Sequence, residues 1–486
     1  MNKFSSYLKK KRQVVKLLVS KLNEQYPFVS VLATDVKGKS YSVDRRSIGI
    51  RPTSITECGF VCKVYKDGVY SEYSFNELEE KNIENIILEI NDLVNSNIRI
   101  NKVNCEMLLE EPLKKSFIRK DNKTIYNDEQ ILEILKEAKD FALTLSDKIM
   151  NVSVSHEVLE ISKMYISNSK ELDQYYTWNN TRCMVLVRKE SNMKYAYDGS
   201  SSNCMEDTLS NIKEVIKKTT TLAIELLDSS LPVPGTYTII TDPSITGLIA
   251  HEAFGHGLEM DMFVKDRAKA QEYMNKEVAK PILSMKDGAK SAFSVASYFF
   301  DDEGVLAQDT QIIDKGILVG GICDSISASI LKYKPTGNGR RESYKRKAYT
   351  RMTNTFFDKG NSSLEDMIKS VDYGYYISTT NNGMEDPKNW GIQCTALYGR
   401  EIKNGKFTGK MISPVVMSGY VIDLLQSISM VSNDFEINGS GSCGKGYKEW
   451  VRVSDGGSCL KAQVKIGWLK LKVLLKLYKI KVLING

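Results

Sequence analysis

The residues best placed to do chemistry in this chain are His251, Glu252 and His256, in the stretch His251-Glu252-Ala253-Phe254-Gly255-His256. The chain has only three histidines, and two of them bracket this glutamate. Imidazole is the commonest metal ligand and the usual acid/base near neutral pH. The zinc-protease signature H-E-x-x-H sets two imidazoles on one helix face, one turn apart. Here one extra residue intervenes. On a regular helix, positions i and i+5 point about 140° apart, against about 40° for i and i+4. Both rings reach one metal only if the backbone departs from a regular helix, and Gly255 and Gly257 make that departure cheap. The blander alternative is a helix with two unrelated polar histidines.

A metal needs more than two ligands. The segment Asn438-Gly439-Ser440-Gly441-Ser442-Cys443-Gly444-Lys445-Gly446 has two readings. As Gly439-x-x-x-x-Gly444-Lys445 it nearly matches a phosphate-binding P-loop, but Gly446 stands where the magnesium-binding hydroxyl residue is needed. Tyr447–Ser454 also reads as extended, whereas a P-loop must open a helix. The other reading makes Cys443 a thiolate ligand. Flanking glycines let the backbone approach a metal, and Lys445 would help hold the sulfur deprotonated. Cys323, Cys394 and Cys459 compete for the role, but of the four only Cys443 sits in a tight glycine loop. A buried small hydrophobe is the alternative for any single cysteine. Two histidines and a cysteine leave the fourth tetrahedral position open for water, as a catalytic zinc site requires. Glu252 would then be the general base, taking a proton from zinc-bound water and passing it to the leaving amine.

These residues need a scaffold. At 486 residues, two domains are the default. A hydrophobic content of 42% and a charged content of 26% are those of an ordinary globular protein, and no apolar run is long enough to cross a membrane. The basic N-terminus lacks an apolar core and a cleavage site, so it reads as an amphipathic helix and not a signal peptide. Nine scattered cysteines, odd in number, argue for reduced thiols in a cytoplasmic protein. Cys58 and Cys62 have no matching second pair and read as buried thiols.

The pattern predicts an α+β fold. Residues 1–230 read as an N-terminal α/β domain of strand hairpins and long helices. Its strands are expected at Phe28–Leu32, Tyr41–Ile48, Gly59–Tyr65 and Val69–Tyr73, with Asp67-Gly68 as a hairpin turn. A further β region covers Val152–Ile166 and Cys183–Tyr197. Helices are expected at Asn76–Val94, Asp128–Met150 and about Glu206–Leu227. Pro232-Val233-Pro234-Gly235 marks the joint. Residues 231–466 read as a mainly β domain carrying one metal-binding helix, opened by Asp242-Pro243-Ser244 after the strand Thr236–Thr241.

Several segments together resemble the TldD/PmbA metalloproteases, also called modulators of DNA gyrase, in the TldD-type form with intact metal ligands. They are HEAFGHGLEM at His251–Met260, Asp301-Asp302-Glu303-Gly304, PTGNGRRES at Pro335–Ser343, RMTNT at Arg351–Thr355, QSISMVSND at Gln426–Asp434 and GSCGK at Gly441–Lys445. They span most of residues 236–466, while residues 1–230 match only in overall pattern. The resemblance implies zinc on His251, His256 and Cys443, with Glu252 catalytic. It also implies a dimer enclosing a cavity, formed with itself or with a related subunit that has lost the metal ligands. The implied substrates are unfolded peptides or peptide precursors in the cytoplasm.

The run Arg340–Lys347 could be a nucleic-acid patch or a solvated basic loop. Under the resemblance it lines the catalytic cleft, where Asn338, Arg340, Arg341 and Asn354 would hold a peptide's carbonyls and carboxylates. Asp301, Asp302 and Glu303 read equally as groups supporting the site or as a turn between strands.

Residues 467–486 form an atypical basic tail. Residues 461–486 carry seven lysines and no acidic residue, which equals the net charge of +7, so the remaining 460 residues balance. The body therefore gives no case for nucleic-acid binding. Lys472, Lys476 and Lys479 share a helical face that would suit a membrane surface, but a solvated, strand-like or disordered tail is the plainer reading. The leading expectation is a zinc-dependent peptidase acting on extended polypeptide. The alternative is a non-catalytic, chaperone-like peptide-binding subunit whose metal is purely structural, with four protein ligands.

Overall fold

The computed structural model describes residues 4–100, 105–107, 109–119, 123–439, 441–446 and 449–467. Of the basic tail, all but Gly467 lies outside the described residues. The architecture is α+β, as the pattern predicts.

The first part of the chain folds around one eight-stranded sheet. Its main order is Val69–Phe75, Glu57–Lys66, Phe28–Val43, Ile149–Ser167, Lys170–Lys189 and Leu113–Ile118. Ile48–Pro52 pairs with Phe28–Val43, and Asn192–Ser202 with Lys170–Lys189. The Asp67-Gly68 turn forms as expected, with both residues at positive φ (48° and 80°), the requirement of a type I′ hairpin. Phe28–Leu32 and Tyr41–Ile48 were expected as separate strands, but one strand runs from Phe28 through Val43. Polar Asp35, Lys37 and Lys39 stay in it because the ladder to Ile149–Ser167 continues unbroken from Ser30↔Ser167 to Val43↔Val154. Pairing with a neighbour overrides local propensity there.

Helices cover the sheet in two groups. Ser6–Asn23, capped by the Ser5 hydroxyl, buries Leu8, Val15, Leu18, Val19 and Leu22 against the same core as Ile83–Ile100. Asp128–Thr144 starts in a capping box between Asn127 and Gln130, and packs with Ile212–Leu226 on a second core. The helix expected over about Glu206–Leu227 is interrupted. It forms Met205–Leu209 and then Ile212–Leu226, broken at Asn211 (φ −96°, ψ 6°).

From Gly235 onward the chain is mainly β. A seven-stranded sheet runs in the order Tyr373–Asp386, Gly235–Thr241, Leu460–Ile466, Val415–Tyr420, Gly391–Lys403 and Lys406–Ile412, with Met430–Val431 pairing off Leu460–Ile466. Tyr373–Asp386 also pairs with Gly391–Lys403, which closes five of these strands into a ring. A six-stranded sheet lies beside it and includes Met285–Asp287, Asn354–Phe357 and Ser454–Gly457. The segment carrying His251 and His256 is buried in the core of this part through Ile245, Leu248, Ile249, Ala250, Ala253 and Phe254.

Candidate metal centre

The helix begins where the sequence puts it. Oδ1 of Asp242 accepts from the Ile245 amide at 2.8 Å, and Pro243 occupies the first turn, where its missing N–H costs nothing. Pro243–Leu248 is α-helical, Ile249–Gly255 is π-helical, and His256–Leu258 closes as a 3₁₀ turn. A π turn closes i→i+5 bonds, so it absorbs the one extra residue between the histidines. The two rings face one another at 85° with centroids 5.2 Å apart.

Gly255 contributes by its size. Its φ of −62° and ψ of −45° are ordinary helical values, so backbone freedom is not what the position requires. A Cβ there would run into Met352 Sδ and stand 2.8 Å from the Ala250 carbonyl.

Cys443 lies on the strand Ser442–Lys445, paired with Glu449–Arg452 so that Cys443 stands opposite Val451. A strand at this position removes the P-loop reading, which needs a helix. The sulfur comes 3.7 Å from Nε2 of His256, and the ligand atoms of His251, His256 and Cys443 all lie within 4.8 Å of one another. No other His, Cys, Asp or Glu joins that group among the described residues. Cys323, Cys394 and Cys459 are buried elsewhere, each pushed up to about 12, mainly by burial.

Burial alone would also raise the Cys443 thiol, but the imidazoles of His251 and His256 hold it well below its ordinary range. Lys445 does not serve the sulfur as expected. Its ammonium is engaged by Glu259 Oε2 (2.9 Å), Asp261 Oδ1 (2.6 Å) and the Thr350 carbonyl (3.0 Å).

Glu252 sits between the two rings. Its carboxylate oxygens are 3.9 Å from Nε2 of His251 and 3.9 Å from Nε2 of His256, and the side chain keeps 24% exposure. The strand Tyr373–Asp386 passes so close that a Cβ on Gly383 would stand 2.6 Å from Glu252 Cγ. The third histidine, His156, is remote from the site: it is buried in the N-terminal sheet with Nδ1 2.8 Å from the Thr181 hydroxyl.

The donor set fits a metal such as zinc: two imidazoles and a thiolate on rigid elements, with Glu252 beside the gap. Nδ1 of His251 is buried without a hydrogen-bond partner.

The four side chains expected to touch a peptide are placed differently. Asn338 and Asn354 are fully buried. The Asn338 amide donates to Asp287 Oδ1 (2.8 Å) and to the Arg351 carbonyl (3.0 Å). The Asn354 amide donates to the Gly288 carbonyl (2.9 Å). Arg341 is buried and paired with Glu72 at 3.1 Å. Arg340 donates to the carbonyls of Met352 (2.5 Å) and Arg452 (2.6 Å). These groups are spent holding loops together, which corrects the substrate-contact reading for Asn338, Asn354 and Arg341; of the two arginines only Arg340 keeps a partly exposed face. Those two arginines border a cavity of about 310 Å³, with Trp178 and Arg452 on its walls.

Asp301, Asp302 and Glu303 also act away from the centre. Lys63 pairs with Glu303 at 2.5 Å and Lys163 pairs with Asp302, so this turn ties the N-terminal sheet to the second half of the chain. Asp301 caps its own turn, accepting from the amides of Glu303 (2.9 Å) and Val305 (3.0 Å).

Other residues around the centre were not singled out from sequence. Glu259 Oε2 is 3.1 Å from Nδ1 of His256, and the i, i+3 spacing on one helical segment is the signal that points to it. Fully buried Arg351 donates to the carbonyls of Cys443 (2.5 Å) and Glu449 (3.2 Å), which nothing in its sequence neighbourhood indicates. Glu385 accepts from the Gly257 amide at 3.0 Å. Asp455, pushed up to about 6 mainly by burial, borders a cleft of about 1030 Å³ that opens between the two halves.

Comparison with known proteins gives the same direction. Residues 234–455 match the family described as PmbA/TldA metallopeptidase C-terminal domain. A metalloprotease of Methanocaldococcus jannaschii is 27% identical over 387 residues, covering 77% of this chain and 84% of the relative. A zinc metalloprotease TldD homolog of Saccharolobus solfataricus is 27% identical over 393 residues, covering 78% and 84%. Among solved structures, a protein of Thermotoga maritima described as a modulator of a DNA gyrase shares the fold, with a TM-score of 0.75 at 19% identity, over 94% of this chain and 100% of that one. TldE from Thermococcus kodakarensis also shares it, with a TM-score of 0.73 at 16% identity, over 94% and 100%. Residues 234–455 thus match a PmbA/TldA metallopeptidase C-terminal domain, and the chain is similar to metalloprotease and TldD relatives along most of its length.

Proposed function

We propose that the protein is a zinc-dependent metallopeptidase that hydrolyses peptide bonds in unfolded peptides or peptide precursors. The observation that carries this reading is the convergence of His251, His256 and Cys443 around a gap that Glu252 faces. With no fourth protein ligand grouped there among the described residues, the arrangement suits a catalytic more than a closed structural site. Zinc, when bound, supplies a Lewis acid that polarises the scissile carbonyl and makes water acidic enough to react at neutral pH. Glu252, whose carboxylate faces that gap, would serve as the group that accepts a proton there and donates one to the leaving amine. The cleft of about 1030 Å³ bordered by Asp455 and Gly441 offers a place for polypeptide in extended form.

The protein works in the cytoplasm, as a dimer with itself or with a related subunit lacking the ligands. No helix among the described residues is long and apolar enough to cross a membrane. The test is Glu252→Gln. The variant should keep the metal content of the parent and lose about 10²–10⁴-fold in hydrolysis of a disordered peptide. Zinc binding without cleavage of any disordered peptide by the parent, alone or with a related subunit, would favour a peptide-holding role instead.

A further inference from the structure

We propose that Lys445 and Glu259 are positioning residues for the metal ligands, acting through one shared carboxylate oxygen, a role that rests on the metallopeptidase reading above. Cys443 and Lys445 are alternate residues of the strand Ser442–Lys445, so their side chains leave the same face. That face meets the segment carrying His256 at two points. Cys443 Sγ lies 3.7 Å from Nε2 of His256, and Lys445 Nζ lies 2.9 Å from Oε2 of Glu259. The same Oε2 stands 3.1 Å from Nδ1 of His256. The two ties therefore close through a single imidazole ring.

Each half of this circuit has a definite task. A carboxylate at Nδ1 accepts that nitrogen's proton, which fixes the tautomer and leaves the lone pair of Nε2 pointing at the Cys443 side. The Lys445 ammonium offsets two carboxylates, Glu259 and Asp261, whose side chains are only 1% and 9% exposed. Without it, two buried carboxylates would stand together with the longer Lys265–Asp261 pair (3.6 Å) as the remaining lysine contact, and the strand would lose its second tie. Arg351 secures this strand and its partner Glu449–Arg452 from the backbone side, through the carbonyls of Cys443 and Glu449. The third ligand comes from 187 residues beyond His256, so its register over the ring depends on these contacts and not on chain proximity.

Cobalt(II) is a suitable probe, because its thiolate charge-transfer band and d–d bands report the sulfur ligand and the geometry. Cobalt affinity by chelator competition and absorption spectra should be compared for the parent, Lys445→Met, Lys445→Arg, Glu259→Gln, the double variant Lys445→Met/Glu259→Gln, and Cys443→Ser. Lys445→Met and Glu259→Gln should each weaken cobalt binding by about 10–100-fold and alter the d–d bands. Lys445→Arg should recover part of the loss. The double variant should be no weaker than the weaker single, because both act through one oxygen. Folded Lys445→Met and Glu259→Gln proteins with the parent's affinity and spectrum would overturn the proposal. If Lys445→Met does not fold, Glu259→Gln decides alone. Failure of the underlying reading looks different: the parent would show no thiolate band, and Cys443→Ser would bind cobalt as the parent does.

Discussion

His251 and His256 present their rings to one another with centroids 5.2 Å apart, although five positions separate them, because the turn that joins them is π-helical. A regular α-helix would point the second ring away, and the centre would not form. The geometry of the site thus depends on a locally wide helix packed in a tight core.

Gly255→Ala tests that dependence. The added methyl meets Met352 Sδ and lies 2.8 Å from the Ala250 carbonyl, which is part of the same turn. The methionine can move, but the carbonyl cannot move without reshaping the turn. The variant should be destabilised by about 1–3 kcal/mol in urea unfolding and should bind metal more weakly. Met352→Ala in the same chain should recover only part of the loss. Unchanged stability and metal content in Gly255→Ala would show that the turn tolerates the methyl.

Asn338 and Asn354 should behave as structural residues. Each buries its amide against fixed partners, Asp287 and the Arg351 carbonyl for Asn338 and the Gly288 carbonyl for Asn354. Replacing either by alanine leaves buried groups unsatisfied and should cost about 1–3 kcal/mol of stability. Peptidase assays at a temperature where the variants remain folded should show little change in KM. A large rise in KM with parent-like stability would restore the substrate-contact role.

His156 should make the protein sensitive to acid. Burial holds its imidazole down to about 4, against 6.5 for an unperturbed ring. An unfolded chain takes up that proton as pH falls below about 6.5, while the folded one does not until about 4. The stability contribution is therefore full above the unfolded value and is lost as pH falls through this window. The total is roughly 3 kcal/mol, with about 2 kcal/mol of it between pH 7 and 5. Urea unfolding of metal-free parent and His156→Gln at pH 7 and pH 5 measures this directly. The parent should lose more stability than the variant over that interval, and equal losses would mean that His156 takes up its proton while folded.

Much of the centre can be read from the residues, and the remainder fails for physical reasons. The histidine spacing calls for a distorted helix, and the Asp242-Pro243 pair marks its start, because both effects act within one or two turns. Gly255 looks like a source of backbone freedom, but its dihedrals are helical and its small size matters instead. A sequence does not show that Met352 packs there. Cys443 is a candidate from its glycine loop, and the resemblance singles it out, since no local rule links residues 187 apart. Lys445 is adjacent to the thiol in sequence, yet its charge goes to Glu259 and Asp261, which reach it only once the strand docks. The single strand Phe28–Val43 is hidden for the same kind of reason: polar residues at its middle are held extended by their neighbour's ladder.

The central claim is that His251, His256 and Cys443 hold one catalytic zinc. The most direct measurement is zinc per chain by elemental analysis of purified parent and Cys443→Ser, prepared side by side. About one zinc per chain is expected in the parent, and a large loss in a folded Cys443→Ser protein, since a tetrahedral site is reduced to two protein ligands. Stoichiometric zinc retained in Cys443→Ser would contradict it.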